Sequence, residues 1–200
     1  MTYTIIILVI TVLVSLAAFN NNTIYNKLIL WPRYMHGNPA EYYRLLSSGF
    51  IHADYSHLFF NMFTLYFFGQ FVEGYFVYYL GHPYPFLILY LTGIIAASLP
   101  SFWKNRNNSS YRSLGASGGI AAVIFSSVYF DPWAGIYGFI PSIVFAIGYL
   151  VYCVYMARRG GSYINHDAHF WGSVYGFVFT FLLDPSHGQI FIRQMMHPHL

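Results

Sequence analysis

The chain has 200 residues, of which 57% are hydrophobic and only 8% are charged. So few charged side chains cannot cover the surface of a water-soluble globule, and this class of protein is excluded. The formal net charge of +3 is small and its Lys and Arg residues are spread over several segments, which argues against a nucleic-acid partner. The composition predicts an all-α membrane protein in contact with the lipid bilayer, folded as a single domain over residues 1–200.

Apolar segments long enough to cross a bilayer recur along the chain. A spanning helix needs roughly 20 apolar residues, so this length accommodates about six spans. We predict spans over residues 2–19, 56–75, 85–103, 117–130, 137–156 and 168–183. The fourth is short, and we expect it to begin below the membrane surface, preceded by irregular backbone over residues 113–116.

The first apolar segment has two interpretations. No basic residue precedes it, whereas a cleaved signal peptide normally begins with a positively charged region, which favours a retained span. The small residues of Ser15-Leu16-Ala17-Ala18 resemble a cleavage site, however, and leave the signal-peptide alternative open.

The segment of residues 20–49 is too polar and too often interrupted by proline to span a membrane. It contains Trp31 and several tyrosines, whose amphipathic rings favour the level of the lipid headgroups. We therefore predict a long structured loop after the first helix, lying partly in the membrane interface. The last residues, His197-Pro198-His199-Leu200, are interpreted as a short tail.

Four polar residues fall near the starts of three predicted spans: His57 and Asn61 in the second, Ser117 in the fourth and His169 in the sixth. With six spans, these three segments enter the membrane from the same side, so the four residues lie at a similar depth. Polar groups within spans are costly and usually face the interior of the bundle, which predicts one shared site. His57 and Asn61 are four residues apart and share a helical face, from which both can donate hydrogen bonds.

Ser117 lies in the sequence Leu114-Gly115-Ala116-Ser117-Gly118-Gly119, at the predicted start of a helix. The first N–H groups of a helix lack intrahelical partners and, together with the helix dipole, stabilise an anion such as a developing oxyanion. Gly115 and Gly118 allow other backbone to approach and keep the hydroxyl accessible. Taken alone, the same small residues are typical of tight helix packing.

A serine hydroxyl is a poor nucleophile until a neighbouring imidazole accepts its proton, and His169 can supply that group. Gly172 and Gly176 follow it at a spacing of one helical turn. They form a flat face that can bring this helix against the glycine-rich start of the fourth span. An isolated histidine here could equally be a satisfied residue at a helix interface.

Together these motifs resemble the rhomboid family of intramembrane serine proteases. The first loop and second helix of the family are matched by Tyr43-Arg44-Leu45-Leu46 through Phe50-Ile51-His52, then His57-Leu58-Phe59-Phe60-Asn61-Met62, Gly69 and Glu73. Its G-x-S-G motif is matched by Gly115-Ala116-Ser117-Gly118, and its A-H-x-x-G-x-x-x-G motif by Ala168-His169 with Gly172 and Gly176. The resemblance extends over nearly the whole chain.

The resemblance implies a six-helix rhomboid-like bundle in which Ser117 is the nucleophile and His169 is the general base and then the general acid. His57, Asn61 and the backbone N–H of Ser117 would form the oxyanion hole. It also implies a dyad without cofactor or metal ion, transmembrane segments of other proteins as substrates, and a location in the bacterial inner membrane. Tyr43 stands where many members have tryptophan, a departure that concerns the anchoring of the loop.

Two other functions are compatible with parts of this pattern. A non-catalytic rhomboid-like protein would bind transmembrane clients, but such relatives lack the serine or the histidine. A metal-dependent membrane enzyme or transporter would use His52, His57, His166 and His169, although the sequence has no H-E-x-x-H motif and few carboxylates beside them. The single cysteine, Cys153, has no second cysteine with which to form a disulfide or a Cys-rich metal site.

The charges of the loops leave the orientation in the membrane open. Basic residues concentrate on the side of the predicted site, and the opposite side has little beyond Arg193. The positive-inside rule would turn the site towards the cytoplasm, whereas the family resemblance implies an outward opening. The positive-inside rule would carry less weight for this chain if its loop arginines have structural roles.

Overall fold

The computed structural model describes residues 2–136, 139–159 and 164–198, and helices account for most of them. In chain order the helices are α1 (Thr2–Phe19), α2 (Asn22–Leu28), α3 (Pro32–Met35), α4 (Arg44–Ser47), α5 (Tyr55–Leu80), α6 (Tyr84–Asn105), α7 (Ser117–Phe130), α8 (Ser142–Arg159), α9 (His166–Leu183) and α10 (His187–Met196). Short 3-10 turns cover Pro39–Glu41 and Ser48–Phe50, and an antiparallel hairpin pairs β1 (Gly135–Ile136) with β2 (Ile140–Pro141). The predicted all-α class is confirmed.

Helix α7 forms the centre of the bundle. All of its residues except Ser117 and Ile124 are buried, and it packs against α5, α6, α8 and α9. Helix α1 packs on α5, and most residues of α8 face away from the protein. Helix α7, which begins at Ser117, is therefore surrounded by other helices on several sides.

The outer surface of the bundle is apolar. Large hydrophobic side chains such as Leu13, Phe60 and Leu182 are each more than 60% exposed, which is costly in water and favourable in lipid. Among the described residues, three helices, α1, α6 and α8, are long and apolar enough to cross a membrane. Helix α7 is a shorter apolar helix of 14 residues.

Two of the predicted spans have wrong boundaries. The second, 56–75, continues to Leu80 and ends where Gly81 adopts a left-handed conformation with a φ of 80°. The fifth, 137–156, begins only at Ser142, after the β-hairpin. A helix that started at residue 137 would need an N–H donor at position 141, and Pro141 has none. Residues 137 and 138 of that prediction lie outside the described residues.

The other four predicted spans lie within two residues of the ends of α1, α6, α7 and α9. Helix α10, in contrast, was not predicted, and the tail begins only after it. The Tyr129 hydroxyl donates to the Asp184 carbonyl at 2.7 Å, and the Trp133 indole donates to the Gln194 carbonyl at 2.8 Å. These bonds hold α10 and the turn before it against the bundle. Residues 199 and 200 of the predicted tail lie outside the described part of the chain.

Residues 20–54 fold into short helices and turns around the buried side chain of Arg44. Its guanidinium donates to the carbonyl oxygens of Asn26 and Ile29, at 2.7 and 2.9 Å, and pairs with Glu41 at 2.6 Å. A buried cation is tolerated only when such partners surround it. Arg44 therefore ties the start and the end of this segment together.

Glu73 lies in the last third of α5 and caps the start of α1. Its carboxylate accepts hydrogen bonds from the backbone N–H groups of Tyr3 and Thr4, both at 3.0 Å, and from the Thr4 hydroxyl at 2.7 Å. The first N–H groups of a helix otherwise lack partners, and the helix dipole favours an anion at this end. Glu73 therefore holds α1 onto α5.

The close contact between α7 and α9 predicts that a methyl group added between them lowers the free energy of unfolding. A Cβ at Gly176 would meet the backbone carbonyl of Ala122, which cannot move aside as a flexible side chain can. We expect Gly176→Ala to lower the free energy of unfolding by about 1–3 kcal/mol, because overpacking forces the helices apart. Unfolding in mixed micelles of a mild detergent and SDS measures this change.

The matched control is Gly148→Ala in α8, where an added Cβ meets nothing within 4 Å. We expect this variant to be neutral or more stable, because alanine favours a helix over glycine by up to about 1 kcal/mol. Equal losses of stability in the two variants would contradict the packing argument.

Candidate functional site

Ser117 and His169 lie side by side where α7 and α9 begin. Ser117 is the first residue of α7, and His169 is in the first turn of α9. The His169 Nε2 and Ser117 Oγ atoms are 2.7 Å apart, the distance of a good hydrogen bond from a hydroxyl donor to a ring nitrogen. With Nε2 as the acceptor, the ring proton sits on Nδ1. Both side chains are partly buried.

The approach of α9 to α7 depends on two glycines of α9. A Cβ at Gly172 would meet the carbonyl oxygen of Gly118, and one at Gly176 would meet that of Ala122. Only hydrogen atoms can occupy this space, so the two backbones touch directly. His169 lies three residues before Gly172 and so shares its helical face, which directs the imidazole towards the start of α7.

The chain enters α7 through irregular backbone, as predicted for residues 113–116. Ser113 and Leu30 exchange backbone hydrogen bonds of 3.1 Å, and the Gly115 N–H donates to the Ser48 carbonyl at 2.9 Å. Gly115 has a φ of 112°, a conformation that disfavours any residue with a side chain. The entrance to α7 is therefore anchored on the segment that follows α1.

Asn165 joins three parts of the site at the start of α9. Its side-chain oxygen accepts the Ala168 N–H at 3.1 Å and so caps the helix. Its amide nitrogen donates to the hydroxyls of Ser101 in α6 and Ser113 before α7, at 2.9 and 3.0 Å. The helix that carries His169 is thus tied to the entrance of α7. Sequence reasoning missed Asn165, although an asparagine before a helix start is a typical capping signal.

His57 and Asn61 lie on one face of the first turns of α5. The His57 imidazole packs against Gly115, where an added Cβ would come within 2.8 Å of the ring. The Asn61 side chain is buried and donates to the His57 carbonyl at 2.8 Å, which leaves its second N–H for another acceptor. His57 therefore flanks the backbone that leads into Ser117, and Asn61 lies one helical turn further along.

His52 forms a network that sequence reasoning did not anticipate. Its Nδ1 lies 2.9 Å from the Ser15 hydroxyl, which donates to the Phe50 carbonyl and therefore accepts from the ring. Nε2 is then the acceptor, and it receives the Ala116 N–H at 3.4 Å. This buried imidazole connects α1 to the residue immediately before Ser117.

Three potential metal ligands cluster beside the Ser117–His169 pair. The side chains of Cys153, His166 and His169 bring one ligand atom each to within 4.8 Å of the others. Within the described residues, no such group includes His52 or His57, so the four-histidine metal site weighed from the sequence is not assembled. Sequence reasoning did not foresee the cluster, because α8 and α9 bring its members together only when they pack.

Burial lowers the pKa of the His52 imidazole to about 3, and the His57 ring adds to this shift while Asp54 opposes it. In the unfolded chain a histidine has a pKa of about 6.5. Between about pH 3 and about pH 6.5, this histidine therefore binds a proton in the unfolded state but not in the folded state. We therefore expect this group to lower the stability by up to about 1.4 kcal/mol per pH unit as the pH falls from about 6.5 towards 3.

Unfolding in mixed micelles at about pH 7 and about pH 5 measures this effect, and His52→Gln should reduce the loss of stability between the two. The difference between the two proteins isolates His52 from other titrating groups. The same pH dependence in both proteins would contradict the assignment.

One family model covers most of the chain. The model, described as Rhomboid domain, matches residues 39–186, which is more than half of the sequence and includes α5 to α9. No curated protein matches the sequence. The chain is therefore an integral membrane protein that belongs to the rhomboid family.

Proposed function

We propose that the protein is an intramembrane serine endopeptidase that cleaves transmembrane segments of other membrane proteins. The observation that carries this proposal is the separation of 2.7 Å between His169 Nε2 and Ser117 Oγ. A hydroxyl hydrogen-bonded to an imidazole can lose its proton as it attacks a carbonyl carbon. Membership of the rhomboid family supports the same reaction, since its catalytic members are serine proteases of the membrane.

The proposal takes α1 and α5 to α9 as six membrane spans of a single domain. Helix α7 has 14 residues and is about 21 Å long, which is about 9 Å less than the hydrocarbon core of a bilayer. If its far end reaches one membrane surface, Ser117 lies below the other. The irregular backbone before Ser117 is then sheltered by protein, and water reaches the site from the loop side. The proposed location is the bacterial inner membrane.

In the proposed reaction, Ser117 Oγ attacks the carbonyl carbon of the scissile peptide bond while His169 Nε2 accepts the hydroxyl proton. The imidazolium then gives this proton to the leaving amine, and the C–N bond breaks to leave an acyl-enzyme. A water molecule that is deprotonated by the same ring hydrolyses the ester and restores Ser117. Asp167 pairs with Lys104 at 2.7 Å, which favours a dyad over a triad.

The proposed oxyanion hole combines the backbone N–H of Ser117 with the side chains of His57 and Asn61. The first N–H groups of a helix have no intrahelical acceptor, and the positive end of the α7 dipole lies at Ser117. The second amide N–H of Asn61 and a ring N–H of His57 would supply two more donors. The absence of a side chain at Gly115 leaves the His57 ring the space that it occupies.

The substrate must unfold locally before it can react. A peptide carbonyl in a transmembrane helix is hydrogen-bonded within the helix, and it can reach Ser117 only after that segment unwinds. Residues that weaken a helix lower the free-energy cost of this unwinding. Glycine in the interior of a helix is less favourable than alanine by about 1 kcal/mol. We therefore expect substrates to carry glycine, proline or other helix-weakening residues near the scissile bond.

Removing either member of the dyad tests the proposal directly. We expect Ser117→Ala and His169→Ala each to reduce cleavage of a labelled transmembrane substrate in proteoliposomes by at least about 10³-fold, because the nucleophile or its base is lost. Labelling of the protein by a fluorophosphonate probe should likewise require both residues, which in-gel fluorescence measures.

The matched control is Ser109→Ala, which removes an exposed hydroxyl from the loop before α7 and should cleave like the parent protein. Undiminished cleavage by Ser117→Ala would eliminate the proposal. A parent protein that neither cleaves nor reacts with the probe would favour the non-catalytic, client-binding alternative.

Removing the amide of Asn61 tests the oxyanion hole. We expect Asn61→Ala to lower kcat by about 10²–10³-fold with little change in KM, because the donor acts on charge that develops only in the transition state. Steady-state cleavage of the labelled substrate measures both constants. Thr64→Val on the same helix is the control, and its kcat and KM should equal those of the parent protein. A change confined to KM in Asn61→Ala would contradict the assigned role.

A further inference from the structure

A thiol and two imidazoles converge next to the proposed nucleophile. The Sγ atom of Cys153 in α8 and one ring nitrogen each of His166 and His169 in α9 all lie within 4.8 Å of one another. His166 and His169 share one face of α9, and their ring centroids are 5.9 Å apart. Cys153 and His166 are buried, with 0% and 3% exposure. The proposed hydrolysis uses only His169 of this group.

We propose that these three side chains bind a Zn²⁺ ion that inhibits the enzyme. Thiolate and imidazole are preferred zinc ligands, and three protein ligands leave the fourth tetrahedral position open. With Zn–S distances of about 2.3 Å and Zn–N distances of about 2.0–2.1 Å, the ligand atoms of such a site lie roughly 3.3–3.6 Å apart. Closing separations of up to 4.8 Å to this range takes movements of roughly 1 Å, which rotations about side-chain bonds can supply.

The surroundings of the cluster are aromatic. The Tyr149 ring stacks on the His169 ring with centroids 6.2 Å apart, and the Tyr152 ring packs edge-on against His166 at 5.4 Å. Calcium and magnesium take oxygen ligands, whereas this cluster presents sulfur and nitrogen. Its chemistry therefore selects zinc over the hard divalent cations.

Bound zinc prevents His169 from acting as the base for Ser117. This consequence rests on the proposed function. If Nε2 of His169 binds the metal, its lone pair is no longer available to the hydroxyl. If Nδ1 binds instead, the ring proton sits on Nε2, which then donates to Ser117 and cannot accept from it. In both arrangements the hydroxyl loses the group that activates it.

Cobalt(II) provides a test of the site that does not depend on catalysis. In a titration of the Ser117→Ala protein with Co²⁺ in detergent, we expect a thiolate-to-cobalt charge-transfer band together with tetrahedral d–d bands. Added Zn²⁺ should remove both kinds of band. Cys153 is the single cysteine of the chain, so a thiolate band can come only from it. Cys153→Ser and His166→Gln should each weaken Co²⁺ binding by at least about 10-fold. A spectrum without the thiolate band would overturn the proposal.

His197→Gln is the matched control, because His197 is an exposed histidine near the end of the chain that can bind metals adventitiously. This variant should keep the thiolate band and the Co²⁺ affinity of the Ser117→Ala protein in which it is made. Loss of Co²⁺ binding in the control would assign the metal to the tail and overturn the proposal.

Inhibition is measured with the fluorophosphonate probe on proteins that keep Ser117. We expect Zn²⁺ to block labelling of the parent protein and a chelator to restore it. Cys153→Ser should require at least about 10-fold more Zn²⁺ for the same fractional loss, with each protein compared to its own metal-free labelling. Labelling that resists Zn²⁺ in a protein that binds Co²⁺ through Cys153 would overturn the inhibitory role. A parent protein that never reacts with the probe would contradict the proposed function, and the Co²⁺ spectrum would still decide the metal site.

Discussion

The direct contact between the backbones of α7 and α9 is the constraint on which the rest of the structure depends. Gly172 and Gly176 bring α9 so close that a side chain at either position would meet carbonyl groups of α7. Lipid tails are as apolar as the helices, so helix association in a membrane relies on such close packing and on interhelical hydrogen bonds. The same contact brings His169 Nε2 to within 2.7 Å of Ser117 Oγ. Helix packing and candidate chemistry therefore share one interface.

Buried polar side chains hold the segments around this interface in position. Arg44 joins the two ends of the segment after α1, Glu73 joins α5 to α1, and Asn165 joins α9 to α6 and to the entrance of α7. His52 connects α1 to the backbone just before Ser117. A buried polar group without partners costs several times the net gain of a hydrogen bond. Each of these contacts therefore restricts segments that are distant in sequence.

Much of the helical framework could be predicted from local patterns. The lengths of apolar runs and the glycine and proline residues between them are local properties, and they located α1, α6, α7 and α9 to within two residues. The start of α8 was wrong because Pro141 outweighs the apolar character of its neighbours. Helix α10 was missed because its ten residues are too short for a spanning pattern, and its position depends on the Trp133 bond to Gln194 and on the Tyr129 bond to the turn before the helix.

The sequence by itself determined where the apolar helices run, and motif spacing was enough to name Ser117 and His169 as a candidate pair. It did not indicate Asn165, the network of His52 or the neighbours of Cys153. Only the tertiary structure decided the distance between hydroxyl and imidazole and brought the thiol of α8 beside two histidines of α9. The reason is physical: these distances arise from the packing of helices far apart in the chain, and residue spacing within one helix can indicate a packing face but does not fix the distance to a side chain on another helix.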